Sequence, residues 1–104
     1  MHSDAKALYI VGMDIASEME EEFNRWLDQE HIPERLAVEG FLSAKRFKNA
    51  GGSPRYFVVY ELSGLDVLNA KEYLHLLSGG RSEWTVRLMP YMSNIQKFQL
   101  GELP

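Results

Sequence analysis

The sequence predicts one small, soluble α+β domain of ferredoxin-like βαββαβ order, and three observations carry that prediction. Four short β-rich runs alternate with stretches of helical periodicity in the order strand, helix, strand, strand, helix, strand. The strands carry apolar residues on both faces, so both sides of the sheet need cover. The 104 residues, 45% apolar and 25% charged, have the size and composition of a single globular domain spanning 1–104.

Each element follows from its residues. Ala7 to Asp14 contains Leu8-Tyr9-Ile10-Val11 and reads as the first strand. Ser17 offers an N-cap, and Glu18, Glu20, Glu21 and Glu22 place negative charge where a helix dipole favours it. Met19, Phe23, Trp26 and Leu27 recur at helical spacing. Pro33 is expected to stop this helix near His31, because a residue before proline avoids the α region. Pro33 to Gly40 is a connection with some helical character. Phe41 to Lys48 and Arg55 to Leu62 form a hairpin across the loop Asn49-Ala50-Gly51-Gly52-Ser53-Pro54, a flexible tip by composition. Leu65 and Leu68 suit a short turn, and Ala70, Tyr73, Leu74 and Leu77 make one face of a second helix that Gly79-Gly80 ends. Ser82 caps a further short helix, Glu83 to Met89, closed by Pro90, and Ser93 to Leu100 is the last strand.

The two-faced strands bear on association. Tyr56, Val58, Tyr60 and Leu62 share one face of the third strand, while Phe57 and Val59 share the other. In the first strand Leu8 and Ile10 oppose Tyr9, Val11 and Met13. The chain has helix enough for one face. A second copy packing sheet to sheet under two-fold symmetry supplies the other cover, giving a homodimer. The alternative is an exposed aromatic face that serves another ligand.

Composition removes several functions. A net charge of −4 argues against nucleic acid and anionic membrane as partners, and Lys45, Arg46, Lys48 and Arg55, which gather in the middle but alternate with apolar residues, read as a solvated strand edge. The absence of cysteine removes disulfides, thiolate metal sites and a cysteine nucleophile, and favours a cytoplasmic home. Leu8 to Val11 is too short for a signal core or a membrane span. The three histidines lack zinc spacing, so no metal is expected. No phosphate loop and no G-x-S-x-G elbow is present.

The chemistry gathers at the end of the first helix. Glu30 falls one turn after Trp26 within the apolar stripe, and His31 falls at its edge, one turn after Leu27. A helix C-terminus and an adjacent glutamate both favour the imidazolium, and a histidine near neutral poise is the usual acid/base tool. The plainer reading makes His31 a packed or capping side chain and pairs Glu30 with Arg35 or a lysine. His75 lies off the second helix's apolar face and reads as solvent-facing, and His2 sits in a loose terminus.

The segment Phe23-Asn24-Arg25-Trp26-Leu27-Asp28-Gln29-Glu30-His31-Ile32-Pro33-Glu34-Arg35-Leu36, with Gly40-Phe41 and Ala44-Lys45-Arg46-Phe47, resembles the small EthD-like proteins of the dimeric α/β-barrel superfamily. Arg55-Tyr56, Tyr60-Glu61-Leu62, Lys71-Glu72-Tyr73 and Trp84 extend that similarity over nearly the whole chain. The resemblance implies two sheets meeting in a barrel-like dimer, a pocket between sheet and helices in each subunit, and a pocket role for His31. It implies no single reaction, since such proteins include cofactor-free monooxygenases, lactone isomerases, cyclases, dehydratases and haem-degrading proteins.

Two functions compete. One is an acid/base enzyme (isomerase, cyclase, dehydratase or cofactor-free monooxygenase) for a small apolar oxygenated compound. His31 would move the proton, Glu30 would tune it, and Trp26, Tyr60, Tyr73 and Trp84 would form the walls, with no cofactor. The other is a non-catalytic dimeric binding or accessory protein with the same pocket. A haem-handling role ranks below both, because His75 is on the wrong face to serve as an axial ligand.

Overall fold

The computed structural model describes residues 4–104, and His2 lies outside them. The strands are β1 (Ala7–Ile15), β2 (Phe41–Lys48), β3 (Tyr56–Leu62) and β4 (Met92–Gly101). The helices are α1 (Glu20–Trp26), α2 (Ile32–Leu36), α3 (Lys71–Leu77) and α4 (Glu83–Leu88). Short 3₁₀ segments stand at Ser17–Met19, Leu65–Asn69 and Met89–Tyr91. The sheet order is β2-β3-β1-β4, with every neighbouring pair antiparallel, which is the ferredoxin-like α+β fold.

The period-2 pattern of β3 decides the layering. Tyr56, Val58, Tyr60 and Leu62 are buried, and they join Tyr9 and Met13 of β1 in one core with Phe23, Trp26, Leu27, Tyr73 and Leu88 from the helices. Phe57 and Val59 point the other way and are only half-buried. The register aligns that outer face in cross-strand rows: Phe47, Phe57 and Gly12 in one, and Val59, Ile10 and Phe98 in the next. Phe57 lies directly on Gly12, where an added Cβ would meet its ring at 2.6 Å. Phe47, Phe98 and Leu100 stay 44–49% exposed. Among the described residues no helix covers this face.

Four local expectations are corrected. First, the helix does not stop before Pro33. Between α1 and α2 the chain makes a π turn over Leu27–His31, and the Ile32 N–H bonds Leu27 O, five residues back. The wider turn relieves the crowding that a proline ring imposes on the preceding turn, and Pro33 sits in the first turn of α2, where a missing N–H costs least. Ile32 keeps α-helical angles, φ −66 and ψ −46, despite the following proline.

Second, Ser17 is exposed and opens a 3₁₀ turn without a side-chain cap. The acidic start is tied down through side chains instead. Glu20 accepts from the Tyr56 hydroxyl, and Glu22 pairs with Arg87 of α4 at 2.8 Å. Third, the buried stripe of α3 is Tyr73 with half-buried Leu76 and Leu77, while Leu74 is 47% exposed. The stripe is turned by about 60° from the expected one. Tyr73 draws it round by packing against Phe41 at 5.5 Å and edge-on to Tyr9 at 6.2 Å. Fourth, the hairpin tip is anchored. The Asp14 carboxylate accepts from Ser53 Oγ, from the Arg55 N–H at 2.7 Å and from Asn94 Nδ2 at 3.2 Å. Those bonds hold its acidity below the usual carboxylate range. Ser82, by contrast, caps α4 as expected, its Oγ accepting from the Thr85 N–H at 3.0 Å.

Candidate functional site

The sheet and the helices leave a cavity of about 140 Å³ between them. Alternate residues of β1 (Tyr9, Val11, Met13) form its floor together with Tyr60 of β3. Trp26, His31 and Arg35 descend from the first helix, Tyr73, Leu76 and Leu77 from α3, and Thr85 from α4. β4 supplies Met92, Ile95 and Lys97 to the open side, where Met89 and Arg81 also reach the cavity.

His31 is the central polar group. The π turn carries its ring onto Trp26, with centroids 4.3 Å apart. Its Nδ1 is sealed from solvent and has no hydrogen-bond partner in the protein. Desolvation first, then the charges of Arg35 and Lys97, push its pKa from 6.5 down to about 3. The imidazole is therefore neutral at physiological pH. The expected imidazolium needed a helix C-terminus at this point, but the helix continues to Leu36.

The expected glutamate partner is engaged elsewhere. Glu30 Oε2 lies 2.7 Å from Ser82 Oγ and 3.5 Å from Thr85 Oγ1, and Trp26 Nε1 donates to Thr85 Oγ1 at 3.1 Å. A hydroxyl has one proton, and the shorter, charge-assisted bond takes that of Ser82. This chain from Trp26 to Glu30 fastens the capped end of α4 to the first helix. Glu30 does not line the cavity, so it sets the wall's position rather than the state of His31.

Arg35 is 8% exposed. Its guanidinium lies 5.9 Å over the Tyr73 ring, and its ion pair with Glu34 is a single contact at 3.6 Å. Beside it the Tyr73 hydroxyl donates to that of Tyr9 at 3.2 Å. The Tyr60 hydroxyl is buried without a partner. Burial raises the pKa of Tyr9 and Tyr60 above the ordinary phenol value, so both stay protonated.

The cavity thus gathers four of the six residues expected at a site: His31, Trp26, Tyr60 and Tyr73. Glu30 and Trp84 are not among its lining residues, and Trp84 packs half-buried against the core with Nε1 unpartnered. His75 is exposed, beside Gly80. Sequence reasoning missed Arg35, Arg81 and Lys97. Arg35 was detectable, because it stands one turn beyond His31 once the helix is allowed through Pro33. Among the described residues no group of three metal-ligating side chains occurs, and no helix is long and apolar enough to cross a membrane.

Comparison with known proteins agrees with this geometry at the level of fold. A family described as a domain of unknown function, DUF4286, matches residues 6–79. No curated protein matches in sequence. Among solved structures, the chain is similar to a dimeric ferredoxin-like protein from an uncultured marine organism, with a TM-score of 0.71 and 19% identity over 99% of this chain and 93% of that one. A monooxygenase of Streptomyces coelicolor in complex with nanaomycin D gives 0.69 and 13% over 99% and 92%. The haem degrader MhuD of Mycobacterium tuberculosis, with two haems in its active site, gives 0.64 and 18% over 94% and 96%.

Proposed function

The chain belongs to the DUF4286 family, and from that premise we propose that it is a cytoplasmic single-domain homodimer whose cavity binds a small apolar oxygenated compound and moves a proton on it. The observation that carries this reading is the enclosure, in one cavity, of a neutral imidazole with a free Nδ1, a buried guanidinium and an unpartnered phenol. His31 is the group that takes and returns the proton. Arg35 and the Tyr60 hydroxyl face the oxygen on which negative charge develops. Isomerisation, cyclisation and dehydration need no reagent beyond the substrate, whereas oxygenation also consumes dioxygen. The EthD-like resemblance and the monooxygenase among the structural neighbours support the same group of reactions. The dimer forms through the outer sheet face, whose cross-strand rows of phenylalanine and aliphatic side chains suit a self-complementary contact.

Haem is given no role. His75 is exposed and stands outside the cavity, so it offers no axial ligand there. Binding without turnover is the second reading. It is favoured by the low basicity of His31, which has no partner to orient it. A screen of small lactones, quinones and enolisable ketones against the wild type, His31→Ala and His31→Gln separates the two. Turnover lost in both variants supports proton transfer by His31. Equal turnover in all three removes His31 from the mechanism, and binding without conversion supports the accessory role.

A further inference from the structure

We propose that the compound this cavity accepts is a single-ring organic anion, held with its ring among the aromatic walls and its charged oxygens on Arg35. This rests on the pocket reading above and adds the size and the charge of the ligand.

Size comes first. A cavity of about 140 Å³ is close to the ~150 Å³ that encloses one benzene ring, so the part of a ligand held among the walls is of single-ring size. The walls suit a flat ring, since the aromatic residues Tyr9, Tyr60, Tyr73 and Trp26 line it.

Charge comes second and is the stronger observation. Three cations line the cavity (Arg35, Arg81 and Lys97) and no carboxylate does, in a chain whose net charge is −4. Arg81 and Lys97 are exposed on the open side and act as a funnel for anions. Arg35 is buried, and a buried charge is costly unless paired. Its contact with Glu34 at 3.6 Å is longer than a hydrogen bond and uses one nitrogen of a fork built for two parallel bonds. A carboxylate or enolate oxygen in the cavity completes that pairing.

Calorimetric titration of the full chain with benzoate, benzamide and 2-naphthoate tests this. Benzoate is expected to bind at least tenfold more tightly than neutral, isosteric benzamide, and 2-naphthoate not to bind. Arg35→Gln should abolish the preference for benzoate. Lys97→Gln, at an exposed residue, should weaken benzoate several-fold and benzamide far less. If benzamide binds as well as benzoate, the anion inference is overturned while the pocket reading stands. If 2-naphthoate binds as well as benzoate, the single-ring limit falls. If none of the three binds at millimolar concentration, the single-ring anion inference is overturned, while the turnover screen of lactones, quinones and ketones decides the pocket reading separately.

Discussion

Apart from Phe41, which packs on the helix side, the two faces of the one sheet carry different aromatic residues. On the helix side β1 and β3 present Tyr9, Tyr56 and Tyr60, and on the bare side the strands present Phe47, Phe57 and Phe98. Both kinds of ring bury similar apolar area, but only tyrosine carries a group that needs a hydrogen-bond partner. Tyr9 finds Tyr73, Tyr56 finds Glu20, and Tyr60 finds none in the protein. The inner face is thus built for polar recognition inside an apolar shell. The outer face is mostly apolar, with Lys45, Glu61 and Gln96 among its rows, and it is the face on which the proposed dimer would form.

The largest effect should come from charging the outer face. Phe98→Glu would place two carboxylates in the two-fold contact, at several kcal/mol each, weakening the dimer by on the order of 10³-fold or more. Sedimentation velocity should show monomer at micromolar concentration with unchanged circular dichroism. A dimer that persists would put the contact elsewhere. On the inner face, Trp26→Ala removes a side chain 2% exposed and the surface on which His31 rests. It should cost about 3–5 kcal/mol in urea unfolding.

The third prediction concerns pH. The folded-state pKa of His31, about 3, lies below its ordinary 6.5, so between these values the unfolded chain binds the extra proton. Its contribution to stability is complete above pH 6.5 and falls away as pH drops toward 3, by about 2 kcal/mol at pH 5. His31→Gln should flatten the stability profile over that window. An unchanged slope would mean that other groups carry the dependence. The smallest effect belongs to the corrected stripe of α3. Leu74→Ser should change stability by less than about 0.5 kcal/mol, against about 3 for Tyr73→Ala. The reverse order would restore the stripe that periodicity suggests.

Most of the fold was legible because it depends on short-range patterns. The alternation Tyr56, Val58, Tyr60, Leu62 marks β3 without reference to any other element, and its opposite face already implied an uncovered side. The site was half legible. Trp26, Tyr60 and Tyr73 followed from apolar periodicity, and His31 from its position one turn after Leu27. Arg35 was hidden by the ordinary rule that proline ends a helix, which the π turn at Leu27–His31 sets aside. Glu30 looked like a partner because it precedes His31, yet Ser82, fifty-two residues along, holds it.

The amino-acid order by itself determined the strands, the helical segments and the two-sided character of the sheet, since side chains two, three or four residues apart already share a face. Only the tertiary structure decided that His31 is neutral, that Arg35 shares its cavity, and that Glu30 and Trp84 lie aside. Charge state and enclosure depend on desolvation and electric field, which sum over groups from distant segments and leave no mark on any one stretch of chain.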